Sequence, residues 1–209
     1  MKYYTAKGDV GTTKLFNCTQ GVRLSKGSGI FEVLGGVDEL NCFVGWCRAV
    51  AERSSFQGAK RAEFLDILFA VQEDLFILQA ELGGGATRLS GEKIRQLEKT
   101  IAQFADGFPV IHSFIIPGAT ELGALLDVSR AVARRVERLY VREIEERGAT
   151  CSRRLRNIKS AERNKEKRQS GHNDATVVAY LNRMSSLLFV LARYANHAHG
   201  AMEKNPTYT

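Results

Sequence analysis

The sequence predicts an all-α protein, a five-helix bundle with an irregular N-terminal segment. Apolar residues recur at alternating spacings of three and four along five separate stretches, a pattern typical of helices that pack side by side. Residues 1–35 are instead rich in Gly, Thr, Ser and Lys and are too irregular for a helix. We therefore expect a single domain over residues 1–209, in which residues 36–200 form the bundle.

Each predicted helix carries an apolar stripe of its own. In chain order the stripes are Val37, Leu40, Val44, Cys47 and Ala51; Leu68, Val71, Leu75, Leu78 and Leu82; Ile94, Leu97, Ile101 and Phe104; Leu122, Leu125, Ser129, Val132, Val136 and Leu139; and Val178, Leu181, Ser185, Leu188, Ala192 and Ala195. Gly83-Gly84-Gly85 is predicted to end the second helix and Pro117-Gly118 to open the fourth, because glycine and proline mark helix boundaries.

The composition is that of an ordinary globular protein. With 209 residues, of which 44% are hydrophobic, the chain can bury one core. It has no run of about eighteen apolar residues and no apolar stretch of the secretory type at its start, so we expect no membrane span and no export. The four cysteines, Cys18, Cys42, Cys47 and Cys151, lack the paired spacing of zinc ligands. We interpret Cys42 and Cys47 as small core residues and expect a reducing cytoplasm.

The net charge of +7 is concentrated in one segment. Residues 153–168 contain eight basic and two acidic residues, which leaves about +1 for the rest of the chain. This segment belongs to a polar stretch, residues 149–173, that we interpret as a surface loop or a frayed helix extension. Because the remainder is nearly neutral, binding to nucleic acid is not expected.

The fourth predicted helix carries a row of arginines. Arg130, Arg134 and Arg138 lie at positions i, i+4 and i+8 and therefore share one helical face. Guanidinium groups arranged in this way suit a polyanion, because their forked donors match phosphate oxygens. The alternative is a solvated charged face, and this helix alone does not decide between the two.

The N-terminal segment contains a second candidate anion site. Residues 5–14 combine two glycines, three threonines, two lysines and one carboxylate. Glycines let backbone amides converge on an anion, threonines donate to its oxygens, and lysines neutralise it. Asp9 could hold a magnesium ion or orient a lysine. The spacing is not that of a Walker A loop, and a Gly/Thr-rich hairpin remains the alternative.

Six motifs, taken together and in order, resemble the PduO-type ATP:cob(I)alamin adenosyltransferases. They are Tyr4-Thr5-x-x-Gly8-Asp9-x-Gly11-Thr12-Thr13, Ser25-Lys26, Gly36-Val37-Asp38-Glu39-Leu40-Asn41, Phe114-Ile115-Ile116-Pro117-Gly118, Arg130-x-x-x-Arg134-Arg135-x-Glu137-Arg138 and Tyr180-Leu181-Asn182-Arg183-Met184-Ser185. Each motif alone is weak, but the resemblance is collinear from the first residues to about Asn196.

The resemblance implies a homotrimer of five-helix bundles with active sites between subunits. It implies transfer of the 5′-deoxyadenosyl group of ATP to the cobalt of a reduced corrinoid, cob(I)alamin, with release of triphosphate. Mg²⁺ and basic residues would neutralise the leaving group. A reductase or a B12-dependent enzyme would be the protein partner. The resemblance assigns no residue as the metal ligand.

The resemblance also implies roles for individual residues. The implied ATP-binding residues are Thr5, Lys7, Gly8, Asp9, Thr13, Lys14 and Lys26, within an ATP-binding segment at residues 1–35, and Arg134, Arg135, Glu137, Arg138 and Asn182 in the bundle. Arg130 is implied to pair with Asp38 across the helix interface, and both join Arg134 and Phe114 as the implied catalytic set. Phe114 would displace the lower ligand of the corrinoid, with Phe189 as a second contact. Without the resemblance, both phenylalanines would be interpreted as core aromatics.

Five positions depart from the family pattern. They are Ala6 in place of a basic residue, Ile30 in place of an arginine, Gly118-Ala119 in place of a Gly-Gly pair, Asp127 in place of a histidine and Ser186 in place of an aspartate. One alternative is therefore a non-catalytic corrinoid- or nucleotide-binding paralogue on the same bundle. A second alternative is a helical nucleic-acid-binding protein that uses residues 153–168.

Overall fold

The computed structural model describes residues 2–54, 60–155 and 173–208, and this part of the chain folds into five helices and a small hairpin. The helices are α1 (Gly29–Arg53), α2 (Arg61–Leu82), α3 (Gly91–Ala105), α4 (Glu121–Leu155) and α5 (Asp174–Ala198). The two short strands β1 (Thr12–Thr13) and β2 (Leu24–Ser25) pair antiparallel. The predicted all-α bundle of five helices is confirmed.

The helices close into a bundle around one core. Helix α4 packs against α1 and α5, α1 also packs against α2, and α3 packs against α5. The ring centroids of Phe64 on α2 and Phe104 on α3 lie 6.2 Å apart. The hydroxyl of Tyr180 on α5 donates to Asp74 on α2 at 2.9 Å. These contacts join α2 to α3 and to α5, so that every helix packs against at least two others.

The apolar stripes predicted from the sequence face this core. Most of their residues are buried, and Ile94, Ile101, Leu139 and Val178 are partly buried against the core. Tyr140, which the stripes do not include, is fully buried, and its hydroxyl donates to Asp174 at 2.5 Å. The core therefore extends to the face of α4 that meets the start of α5.

Two predicted boundaries differ from the structure. Helix α1 begins at Gly29, so residues 29–35 are helical and not part of the irregular segment. Ser28 has the extended backbone of an N-cap, and Val33 is fully buried, so core packing outweighs the glycine-rich composition. Helix α4 continues to Leu155, which takes in the first residues of the stretch 149–173. Residues 156–172, with most of the basic segment, lie outside the described residues.

The prediction that Cys42 and Cys47 are core residues is correct for Cys47 and wrong for Cys42. Cys47 is buried with its sulfur 3.4 Å from the Ser129 hydroxyl, whereas Cys42 is exposed. Five residues correspond to about 140° around a helix, so two residues at this spacing do not share a face. Cys18, Cys42 and Cys47 are all free thiols.

Helix α5 is long and apolar enough to cross a membrane, with 25 residues and a mean hydropathy of 1.5 in its most apolar window. A helix of this kind was not expected from the sequence. More than half of that window, 56%, is buried inside the bundle. The buried side chains of α5 include Arg193 and Asn196 as well as leucines. These features are typical of the core helix of a bundle.

Candidate active site

A row of grooves follows the line where α4 meets α5. The grooves have volumes of about 490, 280 and 280 Å³. Their lining residues are Arg130, Arg134, Glu137, Arg138, Val141 and Ile144 from α4, and Asp174, Ala175, Val178, Ala179, Asn182, Arg183, Ser185, Ser186, Phe189 and Val190 from α5. The predicted arginine face is confirmed, and we call this row the arginine groove.

Asn182 and Glu137 meet across the arginine groove. The side-chain amide of Asn182 donates to a Glu137 carboxylate oxygen at 3.1 Å, and its carbonyl accepts from Arg183 at 2.8 Å. Arg183 in turn pairs with Glu98 on α3 at 2.9 Å. The orientation of the Asn182 side chain is therefore fixed from both sides.

The exposed arginines differ in their partners. Arg135 pairs with Glu39 on α1, and Arg138 donates to the backbone carbonyl of Arg134 at 3.0 Å. Within the described part of the chain, no carboxylate pairs with the guanidinium of Arg134. Arg134 lines two of the three grooves, so its guanidinium is available to a ligand there.

Arg130 has a different partner from the one expected. Its Nε lies 3.2 Å from a carboxylate oxygen of the buried Asp127, one turn earlier on α4. Asp38 on α1 instead accepts from the amide of Gln79 on α2 at 3.3 Å. The two residues therefore do not pair within one chain, because Asp38 lies beside α2 and Arg130 lies beside α5, and the Arg130–Asp38 pair across an interface stays a prediction.

The N-terminal residues form a hairpin loop organised by Arg23. The guanidinium of Arg23 donates to the backbone carbonyl of Lys7 at 2.8 Å and to the hydroxyl of Thr12 at 2.8 Å. The Nζ of Lys26 lies over Gly8, where an added Cβ would be 3.0 Å from it. Arg23 was not identified from the sequence, since a lone arginine in a polar stretch carries no periodic signal.

The loop leaves its polar groups open to a ligand. Side chains of Thr5, Lys7, Asp9, Lys14 and Lys26 are exposed, and Gly8 and Thr13 are partly exposed. The predicted Gly/Thr-rich hairpin is present, and its exposed lysines leave the anion-binding hypothesis open as well.

The glycines that follow α2 contact the N-terminal segment after this loop. The backbone amide of Phe16 donates to the carbonyl of Gly83 at 2.7 Å, and Gly84, at a φ of 83°, packs against Asn17. Among the described residues, none from the loop lines the arginine groove, and no hydrogen bond or ion pair joins the two. The predicted ATP-binding residues therefore fall into two separate groups in one chain.

The two candidate corrinoid contacts occupy different environments. Phe114 lies in the connection between α3 and α4 and is 77% exposed, so the core interpretation is wrong for it. Phe189 is partly buried on α5, and the Arg193 guanidinium lies 5.0 Å from its ring centroid. The exposed ring of Phe114 is accessible to a ligand, and its role as a corrinoid contact stays a prediction.

Few side chains of the described residues are suited to coordinate Mg²⁺. No cluster of three or more His, Cys, Asp or Glu side chains could hold a metal ion among the residues that the structure describes. Asp9 is an exposed carboxylate in the loop that carries Lys7 and Lys14. Magnesium commonly binds through one or two carboxylates and substrate phosphates. These residues fit a Mg²⁺ that arrives with a polyphosphate.

The fold is an all-α bundle in which a row of arginines lines a groove between α4 and α5. Comparison with sequence profiles of protein families matches residues 3–195 to cobalamin adenosyltransferases. The match covers α1 to α4 in full and α5 as far as residue 195. The chain therefore belongs to the cobalamin adenosyltransferase family.

Individual relatives agree with this assignment. The chain is 34% identical to the cobalamin adenosyltransferase of Cupriavidus metallidurans, over 97% of this chain and 92% of the relative. It is 30% identical to the human corrinoid adenosyltransferase MMAB, over 97% and 72% of the two chains. The structure of a PduO-type ATP:corrinoid adenosyltransferase from Lactobacillus reuteri, a variant with alanine in place of one phenylalanine, was solved with cobalamin and ATP. It superposes on this chain with a TM-score of 0.74. That structure is 25% identical, and the match covers 99% of each chain.

Proposed function

We propose that this protein transfers the 5′-deoxyadenosyl group of ATP to the cobalt of cob(I)alamin, forming adenosylcobalamin and releasing triphosphate. The observation that carries the proposal is the arginine groove, in which Arg134, which pairs with no carboxylate of the described residues, lies beside the fixed Asn182–Glu137 pair. The family assignment supplies the reaction.

ATP binding uses both groups of residues. The N-terminal contribution comes from Thr5, Lys7, Gly8, Asp9, Thr13, Lys14 and Lys26, and the bundle contributes Arg134, Arg135, Glu137, Arg138 and Asn182. Exposed lysines and arginines suit the triphosphate, since each supplies charge-assisted hydrogen bonds. Asn182 and Glu137 are suited to the polar edge of the nucleoside, because one donates and the other accepts.

The chemical step is a displacement at the 5′ carbon. The cobalt of cob(I)alamin donates an electron pair to C5′ of ATP and forms a Co–C bond, while the C5′–O bond breaks and triphosphate leaves with that bonding pair. Arg134 and its neighbours stabilise the charge that develops on the leaving oxygen. Mg²⁺ on the triphosphate would add further positive charge, with Asp9 as its candidate protein ligand. Holding both reactants in line supplies much of the acceleration.

The corrinoid binds on the side of the bundle that carries Phe114. An exposed aromatic ring can occupy the space of the lower axial ligand and exclude it from the cobalt. Loss of that ligand makes reduction to Co(I) easier, and the cofactor itself supplies the nucleophile. Phe189 lines the arginine groove beside Arg130 and provides a second apolar contact.

We further propose that complete sites form between copies of the chain in a homotrimer. The support is the separation of the N-terminal loop from the arginine groove, which leaves each half of the ATP site open in one chain. Light scattering tests this proposal, and a monomeric active protein would contradict it.

The setting of the reaction follows from its chemistry. We place the protein in the cytoplasm, in keeping with its free cysteines. A reductase must supply the Co(I) state, and an enzyme that uses adenosylcobalamin must consume the product.

The decisive experiment is anaerobic incubation of the protein with ATP, Mg²⁺ and chemically reduced cobalamin. Formation of adenosylcobalamin is followed by the change in corrin absorbance and by its loss on exposure to light. We expect conversion that requires ATP. Binding of both substrates without conversion would favour the non-catalytic paralogue instead.

A further inference from the structure

Arg193 is a buried charge held by two carboxylates from different segments. Its side chain is 2% exposed, and its guanidinium pairs with Asp127 on α4 and, at 2.8 Å, with Glu203, which follows α5. A buried guanidinium is stable only when carboxylates compensate it. The Asp127–Arg193–Glu203 cluster therefore fixes the segment after α5 to the bundle.

One end of this cluster reaches the arginine groove. The second carboxylate oxygen of Asp127 lies 3.2 Å from Nε of Arg130. Arg130 lines the part of the groove that also contains Arg134 and Phe189. The position of the Arg130 side chain therefore depends on Asp127.

The other end reaches the connection that carries Phe114. Glu203 also accepts from the Asn196 amide at 2.6 Å, and the carbonyl of the next residue, Lys204, accepts from the backbone amide of Ile116 at 2.8 Å. Ile116 lies two residues after Phe114. We call residues 201–205 the C-terminal strap.

The strap supports the middle of the connection, where core packing is interrupted. At one end of the connection Phe108 packs against the core, and at the other end Thr120 donates to Asn196 at 2.6 Å. Between them a cavity of about 330 Å³ separates the connection from the bundle, with Val110, His112 and Ile115 on one side and Arg193 and Glu203 on the other. The bond from Ile116 to the strap therefore holds the connection at this cavity.

We propose that Arg193 and Glu203 are positioning residues for the corrinoid. They anchor the C-terminal strap, the strap holds Phe114 against the lower face of the corrinoid, and Asp127 joins the same cluster to Arg130. This inference rests on the proposed function, because it assigns Phe114 to the corrinoid.

The test compares Glu203→Ala with Glu203→Gln in the full chain. Glu203 lies outside the helices, and Asp127 still compensates Arg193 in both variants, so the bundle is retained. We expect the alanine variant to raise the KM for corrinoid about tenfold, while the KM for ATP stays within about twofold of wild type. The glutamine variant keeps an acceptor oxygen and restores much of the loss.

A spectroscopic measurement separates positioning from general stability. Cob(II)alamin is bound to each variant with ATP present, and the fraction that lacks its lower nitrogen ligand is read from the visible and electron paramagnetic resonance spectra. We expect this fraction to fall in Glu203→Ala. The control is Lys93→Met, which breaks a similar pair of 2.7 Å with the buried Asp74 far from the connection.

The outcomes are distinct. A wild-type spectrum and corrinoid KM in Glu203→Ala would overturn the inference, as would equal losses in Lys93→Met. A wild-type chain without adenosyl transfer would refute the proposed function, and the spectra of bound cob(II)alamin would still decide the role of Glu203.

Discussion

Asn182 on α5 donates to Glu137 on α4 at 3.1 Å. This bond holds the Glu137 carboxylate beside the arginines that line the same part of the arginine groove. The pair bridges the two helices at the point where Arg134 and Arg138 also line the surface. Neither partner is fully buried. The bond therefore contributes little to folding and is well placed to orient groups toward a ligand.

Replacing Asn182 with Ala is expected to raise the KM for ATP by about tenfold with little change in melting temperature. The variant removes the donor to Glu137, so this carboxylate loses its fixed orientation, whereas Arg183 keeps its pair with Glu98. Steady-state kinetics under anaerobic conditions measure the effect. An unchanged KM would mean that the pair orients only its own members.

Replacing Arg134 with Ala should damage catalysis far more than folding. The side chain is exposed and no described carboxylate pairs with it, so its loss should change stability by less than about 0.5 kcal/mol. The loss of one charge-assisted contact to the triphosphate should lower kcat/KM about 100-fold. Arg142, an exposed arginine two turns further along α4, provides the control when it is changed to Ala. Equal activity of both variants would identify the arginine row as a solvated face.

Gly123→Ala is expected to destabilise the fold by about 1–3 kcal/mol. A Cβ at this position would lie 2.0 Å from Oδ1 of Asn196, a buried residue that bonds both Thr120 and Glu203. Gly148 is the matched control, because it lies on the same helix and an added Cβ meets nothing within 4 Å. Gly148→Ala should stabilise α4 by about 0.5–1 kcal/mol, and chemical denaturation of both variants checks the contrast.

Stability should fall between pH 9 and pH 11 partly because of Cys47. Burial raises the pKa of this thiol from 9.0 to about 11, against the lowering effect of the Ser129 hydrogen bond. The folded state therefore keeps the proton to higher pH than the unfolded state does. The stabilisation is complete below pH 9 and is lost as the pH rises toward 11, by about 2 kcal/mol.

The difference between wild type and Cys47→Ala, measured by denaturation at several pH values, isolates this contribution. The exposed Cys42 serves as the control, since Cys42→Ala should follow the wild-type curve. Burial also raises the pKa of Tyr140 and Tyr180, so all three proteins should show some further loss at the alkaline end. A slope in Cys47→Ala that matches the wild type would contradict the assignment.

The helices and their core faces could be predicted from the sequence because helical periodicity is a local property. The stripe from Val37 to Ala51, for example, is buried throughout, and Gly83 ends α2 as expected. The start of α1 was missed because Gly29 and Gly35 lower helix propensity locally, whereas burial of Val33 is decided by packing against the rest of the bundle.

The candidate site could be predicted only where a single helix contains it. The arginine row on α4 follows from spacing, but the partners of Arg130 and Asp38 depend on which helices flank each face. Arg23 and the Arg193 cluster were missed for a similar reason. Their partners lie 10 to 66 residues away, and no local pattern indicates them.

The separation of the N-terminal loop from the arginine groove has a genetic consequence if ATP binds between copies. Each chain then gives its loop to one site and its groove to another. A chain damaged at Lys7 and a chain damaged at Arg134 would each be inactive alone, yet a mixed assembly would contain some sites built from two sound halves. Two defective alleles expressed in one cell would therefore complement each other and restore part of the reaction that neither supports by itself.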